Sequence, residues 1–551
     1  MAQSNQVSTL PPEIWRLVAK VFTRRKSLRD LYLFSRLSME FANVGLRELY
    51  SIRYKIINER RFHSIFASCL GKTLFPYYLW ITELDLNLLG HCILIKAWTP
   101  GCILYTHPLE AFEVRNNVGG IDEMASIIKI TNLLAESIRG ACRDNRSNSL
   151  ESLVVDGFWF SPSDVAKWVS AFPRLTELRT GGPFALDGEV ARAIRENCPA
   201  LTSVLIKGVN YRPNDCAHLA EFLQNLQPDS LTSFQMHSKP PIPAAAVKAL
   251  STHSRSLKVL EIQYLQRPAF ASLSSLGDCR NLEGLYLHVE HRDFEPSWAA
   301  ERHWLIDTMT EWLSNCADLR KLRLEGVPFC DEIVQNILKS PQVRLEVLSL
   351  LLENEITEEF CEALSLQTNL RNLTIRYPPG NTAGESHTEA VQMTFARAVA
   401  RLQNLTRIDL KFPLAHAALE HIYQSIPSLR HVMLNLQSLD DRHIGALGGL
   451  TKLVTLGVMA ETSTVTVDAV QRMLDTFAAH PDSDHNGIWI RLDSVHRNER
   501  FTWKKAVELQ EFIRKHWGGS FDVVPNPRVD PDEGAGLLPY THVPPPPESL
   551  A

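Results

Sequence analysis

The chain has 551 residues, of which 45% are hydrophobic and 22% charged, and its formal net charge is −5. This slight acidic balance argues against a protein that binds nucleic acids or anionic membranes, because such proteins usually carry a basic excess or patch. The first residues lack a basic segment followed by an apolar run. The most apolar stretch, 79–98, still carries Glu83, Asp85, His91 and Lys96. The ten cysteines form no paired framework, so we expect a soluble protein of the cytoplasm or nucleus.

Residues 9–52 form the first predicted domain, in which apolar residues recur at helical spacing along three stretches. Pro12 suits the first turn of a helix. Ser27, with Asp30 three residues later, resembles a capping box that begins a second helix. The apolar positions of the three helices are Ile14, Leu17, Val18, Val21 and Phe22, then Leu28, Leu31 and Leu33, then Phe41, Val44 and Leu49. Residues 53–80 follow as a linker with one further capping helix.

The three helices carry the letters LPPEIWRLVAKVF, SLRDLYLFSR and LYSI, and the segment resembles an F-box of the form common in filamentous fungi. In that family the F-box docks on a Skp-family adaptor, which bridges to a cullin in SCF-type ubiquitin ligases. The resemblance implies that six residues are either adaptor contacts or the core behind them. These residues are Leu10, Pro11, Ile14, Val18, Leu31 and Leu33. The sequence leaves the two roles open.

One position departs from the F-box pattern. Two residues after the Ser35–Arg36 pair the family usually has an aromatic residue, whereas this chain has Ser38. Either Phe41 takes the place of that aromatic residue, or adaptor binding is weakened. The alternative to an F-box is a three-helix cap on the following domain, with no adaptor.

The next region repeats one phrase thirteen times: leucine, two residues, leucine, one residue, and then leucine or another aliphatic. The copies begin at Ile81, Leu150, Leu175, Leu201, Leu231, Leu257, Leu282, Leu319, Leu345, Leu370, Leu405, Leu429 and Leu453. From Leu150 onward most steps fall within the roughly 20–29-residue period of leucine-rich repeats, in which each unit is a short strand plus a helix. Residues 81–524 are therefore predicted to fold as an α/β leucine-rich-repeat solenoid, a curved parallel sheet with outer helices.

One position, three residues before the repeat leucine, is predicted to be buried at the end of the helix. Its occupants include Phe172, Cys198, Cys279, Cys316 and Ile426. The cysteines at this position resemble a cysteine-containing repeat class that often accompanies F-boxes. A strand over 488–492, a helix over 502–516 and a strand over 521–524 predict a terminal repeat unit. The proline-rich residues 525–551 have no apolar period and are predicted to be disordered.

Three insertions lie directly after strands, at 90–120, 288–303 and 377–390, and such loops often mark the binding side of a solenoid. In each strand the leucines point into the core, and the alternate residues point to the inner, concave surface. In the N-terminal repeats the charged alternate residues are Glu83, Asp85, Asp156, Glu177 and Glu261 against Arg179 and Lys207. From Leu319 onward they are Lys321, Arg323, Arg376, Arg407 and Lys411 against Glu325 and Asp409.

The basic set in the C-terminal repeats has two interpretations. It is either ordinary solvated charge or one target-binding stripe for an acidic or phosphorylated segment. In the second interpretation Arg323 and Arg376 bind a carboxylate or phosphate bidentately, which lysine cannot do.

No motif for metal, cofactor or catalytic chemistry accompanies these surfaces. Cys92 and Cys102 lack the short paired spacing of a metal site. The triplet at 71–73 lacks the first glycine of a phosphate-binding loop, because Phe66 stands at that position. The sequence thus predicts a non-enzymatic substrate receptor of an SCF-type ligase that binds a target protein through its repeats. The alternative is a leucine-rich-repeat scaffold or inhibitor that binds no adaptor.

Overall fold

The computed structural model describes residues 12–25, 27–51, 65, 67–86, 122–144, 146, 148–155, 160–208, 216–239, 241–289, 301–378, 387–412, 414–479, 488–495 and 503–525. The chain divides into a first unit, Met1–Leu319, and a second unit, Arg320–Ala551. Within the described helices, none has both the length and the apolar character needed to cross a membrane. Several parts of the sequence predictions lie outside the described residues: Leu10 and Pro11, the whole 90–120 insertion, 290–300 and 379–386 of the other two insertions, Asp156, and the tail after residue 525.

The first unit is built from three short helices followed by alternating strands and helices. Its helices are α1 (Pro12–Arg24), α2 (Leu28–Ser35), α3 (Met39–Ser51), α4 (Glu123–Arg143), α5 (Pro162–Val169), α6 (Gly188–Asn197), α7 (Leu219–Asn225), α8 (Ala244–Leu250), α9 (Arg267–Ala271) and α10 (Arg302–Ser314). Its strands are β1 (Glu83–Asp85), β2 (Ser152–Val155), β3 (Glu177–Thr180), β4 (Ser203–Gly208), β5 (Ser233–Ser238), β6 (Val259–Leu265) and β7 (Gly284–Val289). Each strand pairs in parallel with the next along the chain.

The second unit continues the same alternation. Its strands are β8 (Lys321–Glu325), β9 (Val347–Leu351), β10 (Asn372–Arg376), β11 (Arg407–Lys411), β12 (His431–Leu439), β13 (Thr455–Ser463), β14 (Trp489–Val495) and β15 (Ser520–Pro525). Its helices are α11 (Cys330–Lys339), α12 (Glu358–Ser365), α13 (Glu389–Ala400), α14 (His416–Ser425), α15 (Asp441–Leu447), α16 (Val467–Ala479) and α17 (Trp503–Trp517). These strands are also parallel and paired in chain order.

Each of the thirteen leucine phrases coincides with one strand, which begins at the third residue of the phrase. The elements β14, α17 and β15 correspond to the predicted terminal strand, helix and strand. A parallel sheet with one helix between most consecutive strands is the architecture of leucine-rich repeats. The predicted α/β leucine-rich-repeat fold is therefore confirmed in both units.

The strand register follows the alternation of leucines and polar residues. In β8, Leu322 and Leu324 are fully buried, whereas Lys321 and Arg323 are exposed. The leucines fill the core between sheet and helices, because successive side chains of a strand point to opposite faces. We call the other side of each sheet, which carries the alternate residues, its open face.

The position three residues before the repeat leucine is buried, as predicted. Cys198 follows the last residue of α6, and its Sγ donates a hydrogen bond to the carbonyl oxygen of Val169 at 3.2 Å. Cys316 Sγ donates in the same way to the carbonyl of Cys279 at 3.2 Å. Burial raises the pKa of the Cys198 and Cys316 thiols to about 12, so both stay protonated at neutral pH.

The predicted capping box at Ser27 is wrong in its detail. Ser27 does precede α2, but its side chain makes no capping bond to the helix backbone. Its hydroxyl donates instead to the Asp30 carboxylate, so the two side chains satisfy each other and leave the amides of the first turn uncapped by them.

Candidate protein-interaction surfaces

The helical head, which we define as α1–α3, has a small core of its own. Ala19, Leu31, Phe34 and Val44 are buried there, and Leu31 has no exposed surface. Trp15 and Phe34 also lie with ring centroids 6.2 Å apart, which joins α1 to α2. The head therefore has a packed interior, although it spans only about 40 residues.

The position that departs from the F-box pattern, Ser38, is an exposed residue at the start of α3. Ser38 precedes α3, and its hydroxyl accepts a hydrogen bond from the Phe41 amide at 3.2 Å, which is the bond of an N-cap. The Phe41 ring meets Trp15 edge-on with centroids 4.5 Å apart and also lies 4.9 Å from Phe34. Ser38 thus starts the helix, and Phe41 supplies the aromatic packing.

The surface of the head carries an unusual number of large apolar side chains. These are Ile14, Leu17, Val21, Tyr32, Leu33, Leu37 and Met39, each between 40% and 69% exposed. On α1 the first three recur at spacings of three and four, so they lie on one side of that helix. Single exposed aliphatics are normal on a protein surface, but this concentration in three helices marks a candidate contact surface.

The structure separates the two roles that the sequence left open for the predicted adaptor residues. Ile14 and Leu33 are exposed and available for a contact. Val18 is half-buried and packs against the core. Leu31 is fully buried and belongs to the core, so it supports the surface from behind rather than touching a partner.

Cations surround the one half-buried carboxylate described in the head. Burial raises the pKa of Glu48, while Lys20, Arg47 and Arg16 lower it by their positive charge. Arg16, Lys20 and Arg47 are exposed. The apolar residues of the head therefore lie among basic ones, which favours an acidic protein partner.

On the open face of the second unit, the five basic residues predicted to bind a target occupy three rows. The first row aligns Lys321, Val347, Asn372 and Arg407. The second row aligns Arg323, Ser349, Thr374 and Asp409. The third row aligns Glu325, Leu351, Arg376 and Lys411. The expectation of a single stripe is wrong. Residues two apart in a strand share its face, but each belongs to a different row of the sheet. The five basic residues therefore form a patch that is three rows wide.

Two of the arginines in this patch are already engaged by neighbouring carboxylates. Arg323 Nε lies 2.8 Å from Glu325 Oε1, and Arg376 Nη2 lies 2.7 Å from Asp409 Oδ2. Asp409 is only 4% exposed, so Arg376 compensates a buried charge. Arg407 and Lys411 are exposed and make no ion pair within the described part of the chain. They are the cations best placed to meet an anionic ligand.

An apolar site next to this patch was not found from the sequence. On the open face, Met433, Gly457 and Arg491 align in one row, and Trp489 lies one row away on β14. The Met433 side chain lies over Gly457, since a Cβ atom on Gly457 would collide with the Met433 sulfur. The same Cβ would lie 3.8 Å from the Trp489 ring. We call Met433, Gly457 and Trp489 the shelf. The sequence contains one signal for the shelf: Met433, Gly457 and Trp489 stand at alternate strand positions, which in earlier repeats often hold charged residues.

The open face of the first unit is engaged in internal pairs. Arg179 lies 2.9 Å from the Glu177 carboxylate and 3.6 Å from that of Glu83. His237 Nε2 lies 2.7 Å from Glu261 Oε2. These contacts pair Glu83, Glu177 and Glu261, three of the charged alternate residues named from the sequence, with neighbouring cationic or imidazole side chains.

The two described ends of the 377–390 insertion are tied to the preceding repeat. His387 Nε2 accepts hydrogen bonds from the Ile356 amide at 2.9 Å and from the Tyr377 hydroxyl at 3.2 Å. The His387 and Tyr377 side chains are each at least nine-tenths buried. This part of the insertion is therefore packed structure, and its polar atoms are occupied.

Comparisons with known proteins give no family. No protein-family model matches the chain, and no curated protein matches it. Among solved structures, a chain of the Rad7–Elc1 complex in yeast is 17% identical, with 76% of this chain and 94% of that chain covered and a TM-score of 0.38. A chain of the TLR13–ssRNA13 complex is 12% identical, with 83% and 63% covered and a TM-score of 0.29. At such identities and TM-scores, the repeat architecture of this chain rests on its own strand order and register.

Proposed function

We propose that this protein is a substrate-recognition subunit of an SCF-type ubiquitin ligase. In this proposal the helical head is an F-box that docks on a Skp-family adaptor, which joins the cullin, and the repeats hold a target protein. The observation that carries the proposal is the exposure of aliphatic residues within the F-box-like letters, above all Ile14, Leu17 and Leu33. Leucine-rich repeats present extended surfaces for macromolecules, which suits a receptor.

The physical argument starts from the exposed apolar residues of the head. Removing apolar surface from water stabilises a complex by roughly 25 cal/mol per Å², so these side chains favour association with a complementary apolar surface. Interface cores are apolar and their rims polar. The cations Arg16, Lys20 and Arg47 supply a polar surround that favours an acidic adaptor.

The proposed receptor acts by positioning and carries no ubiquitin itself. Holding a target beside the charged conjugating enzyme raises its effective concentration there. A carrier of ubiquitin needs a reactive thiolate. Burial holds Cys198, Cys279 and Cys316 protonated, with pKa values raised to about 12, which suits structural thiols.

The test is co-purification of a Skp-family adaptor with the full-length protein. The variant Leu17→Asp/Leu33→Asp should abolish adaptor binding, because each charge would be desolvated in an apolar interface without a partner. The matched control is Leu366→Asp, which changes a leucine of similar exposure in the second unit. Equal adaptor binding by the wild type, the double variant and the control would contradict the proposal that the helical head is an F-box. The alternative of a scaffold or inhibitor without an adaptor would then be the better description.

A further inference from the structure

The shelf and the exposed cations Arg407 and Lys411 lie on neighbouring strands of the second unit. In one row, Arg407 on β11 is followed by His431 on β12, Thr455 on β13 and Trp489 on β14. Parallel strands are about 4.8 Å apart, so the backbone at Arg407 lies roughly 10 Å from β13 and 14 Å from β14. One short extended peptide is therefore long enough to contact both Arg407 and the shelf.

The shelf is built as a surface for an apolar side chain. Gly457 is buried beneath the Met433 side chain, and Met433 and Trp489 are each half-buried. The indole Nε1 of Trp489 donates to Asp522 Oδ2 at 2.9 Å, so the polar atom of the ring is satisfied by the exposed carboxylate of the neighbouring strand. The remaining indole surface is apolar, and thioether and aromatic groups together make an adaptable contact surface.

The residue between the cation and the shelf is uncharged. His431 Nδ1 lies 3.1 Å from Thr455 Oγ1. Burial, together with the positive charges of Arg407 and Arg430, lowers the pKa of His431, so the ring is neutral at pH 7. The groups that face it from its own and the adjoining strands include Arg407, Arg430 and Thr455. An anion on Arg407 would therefore meet a neutral ring before the shelf begins.

We propose that the open face of β11–β14 binds an extended acidic peptide segment of the target protein. A carboxylate or phosphate of that segment pairs with Arg407, Lys411 adds positive charge two rows along the same strand, and a large apolar side chain three or four residues from the anion rests on the shelf. The spacing follows from about 3.3 Å per extended residue over the roughly 10–14 Å between β11 and β13 or β14. Charge complementarity selects this occupant, because Arg407 and Lys411 are exposed and the carboxylate between them on β11, Asp409, is already paired with Arg376. The proposal deepens the proposed function and rests on it.

The experiment uses an immobilised peptide library and the full-length protein. Each peptide carries one Asp-Glu pair or one phosphoserine, and one phenylalanine placed one to eight residues away, with mixed neutral residues elsewhere. Binding should peak at a separation of three or four residues. The two anion types distinguish a carboxylate from a phosphate as the natural ligand, and a peak in either arm supports the proposal.

Variants locate the binding site on the sheet. Arg407→Glu/Lys411→Glu should weaken the peak peptides by about tenfold or more, because it replaces charge-assisted hydrogen bonds with repulsion. Trp489→Ala should weaken them about tenfold by removing an aromatic anchor. The charge-matched control Lys452→Glu/Arg472→Glu alters two exposed cations of the same unit, Arg472 lying on α16, and should leave binding unchanged.

The outcomes separate this proposal from the proposed function. Library binding without a spacing optimum, or binding that survives Arg407→Glu/Lys411→Glu, would overturn it. Adaptor co-purification is measured on the same samples. If the adaptor binds and no library peptide does, the peptide site is wrong while the receptor role stands. If peptides bind as expected and the adaptor does not, the receptor role is wrong and the peptide site stands.

Discussion

The helical head and the open face of the second unit present different chemistry to solvent. The head exposes aliphatic side chains such as Leu17 and Leu33, whereas the second unit exposes Arg407 and Lys411 beside the shelf. Apolar contacts gain affinity from area removed from water, while charges add orientation and specificity and weaken with salt. In the proposed function, the first surface suits one constant adaptor and the second suits a selected target.

The largest expected effect tests the boundary between core and surface in the head. Leu31→Asp should unfold α1–α3, because it buries a charge that has no partner, at a cost of several kcal/mol. Leu33→Asp, two residues away and 47% exposed, should leave the head folded. Hydrogen exchange of α1–α3 measures the difference. Equal protection in both variants would show that the assignment of Leu31 to the core is wrong.

The second test applies the same boundary to the repeats. Leu322→Ala should destabilise the second unit by roughly 2–5 kcal/mol, since Leu322 is fully buried between sheet and helix. Lys321→Ala, on the exposed side of the same strand, should change stability by less than about 0.5 kcal/mol. Urea unfolding of both variants provides the comparison, and similar losses would place the register one residue out.

This register was available from the sequence alone. A leucine phrase with alternating burial fixes which residues face the core, and its return at a near-constant step fixes the strand order. The roles of Leu31 and Leu33 were not available in the same way. Both are aliphatic residues on one short helix, and only the packing of α1 and α3 against α2 decides that Leu31 is enclosed.

The candidate site was predictable in composition but not in arrangement. The basic residues of the second unit could be named from strand alternation, yet the pairing of Arg376 with Asp409 joins residues 33 positions apart. The two residues lie in adjacent rows of neighbouring strands, so their contact depends on side-chain conformations that the aligned leucine phrases do not give. The shelf was missed for a related reason, because a methionine, a glycine and a tryptophan on three strands carry no common pattern until the strands are aligned.

The pairing of Arg376 changes what a charge reversal tests. Arg376→Glu should destabilise the second unit by roughly 2 kcal/mol, because it leaves the buried Asp409 carboxylate opposite a like charge, although Arg376 itself is a third exposed. Arg407→Glu should leave stability within about 0.5 kcal/mol of wild type. Urea unfolding separates the two. A stable Arg376→Glu protein would mean that Asp409 finds another partner.

Salt sharpens the contrast between the two surfaces. Raising the salt concentration from about 50 to about 500 mM should weaken peptide binding at Arg407 and Lys411 by about tenfold, because these charges are exposed and screened. Adaptor binding through Leu17 and Leu33 should change by less than about twofold. Titration calorimetry of both partners at the two salt concentrations measures the ratio. Equal salt dependence would remove the division into an apolar and an ionic surface.

The last comparison concerns one carboxyl group in each region. Glu48 in the head and Glu353 after β9 both have a raised pKa because burial disfavours their charged form. In the head, Lys20, Arg47 and Arg16 oppose the rise. In the second unit the Asp331 carboxylate adds to it, and the pKa of Glu353 rises from its ordinary 4.5 to about 7.

The sign of the pH dependence follows from this difference. A carboxyl whose pKa is higher in the folded state stabilises the fold fully below the unfolded pKa, near 4.5, and loses that contribution as pH rises through about 7. Glu353→Gln imitates the protonated form at every pH. The variant should therefore match wild type near pH 4.5 and become progressively more stable than wild type up to about pH 8, whereas Glu48→Gln should show a smaller change. Urea unfolding of wild type and both variants across this range gives the two difference curves. A flat curve for Glu353→Gln would show that solvent reaches the Glu353 carboxylate freely, and a steeper curve for Glu48→Gln would show that the cations of the head do not offset the burial of its carboxyl group.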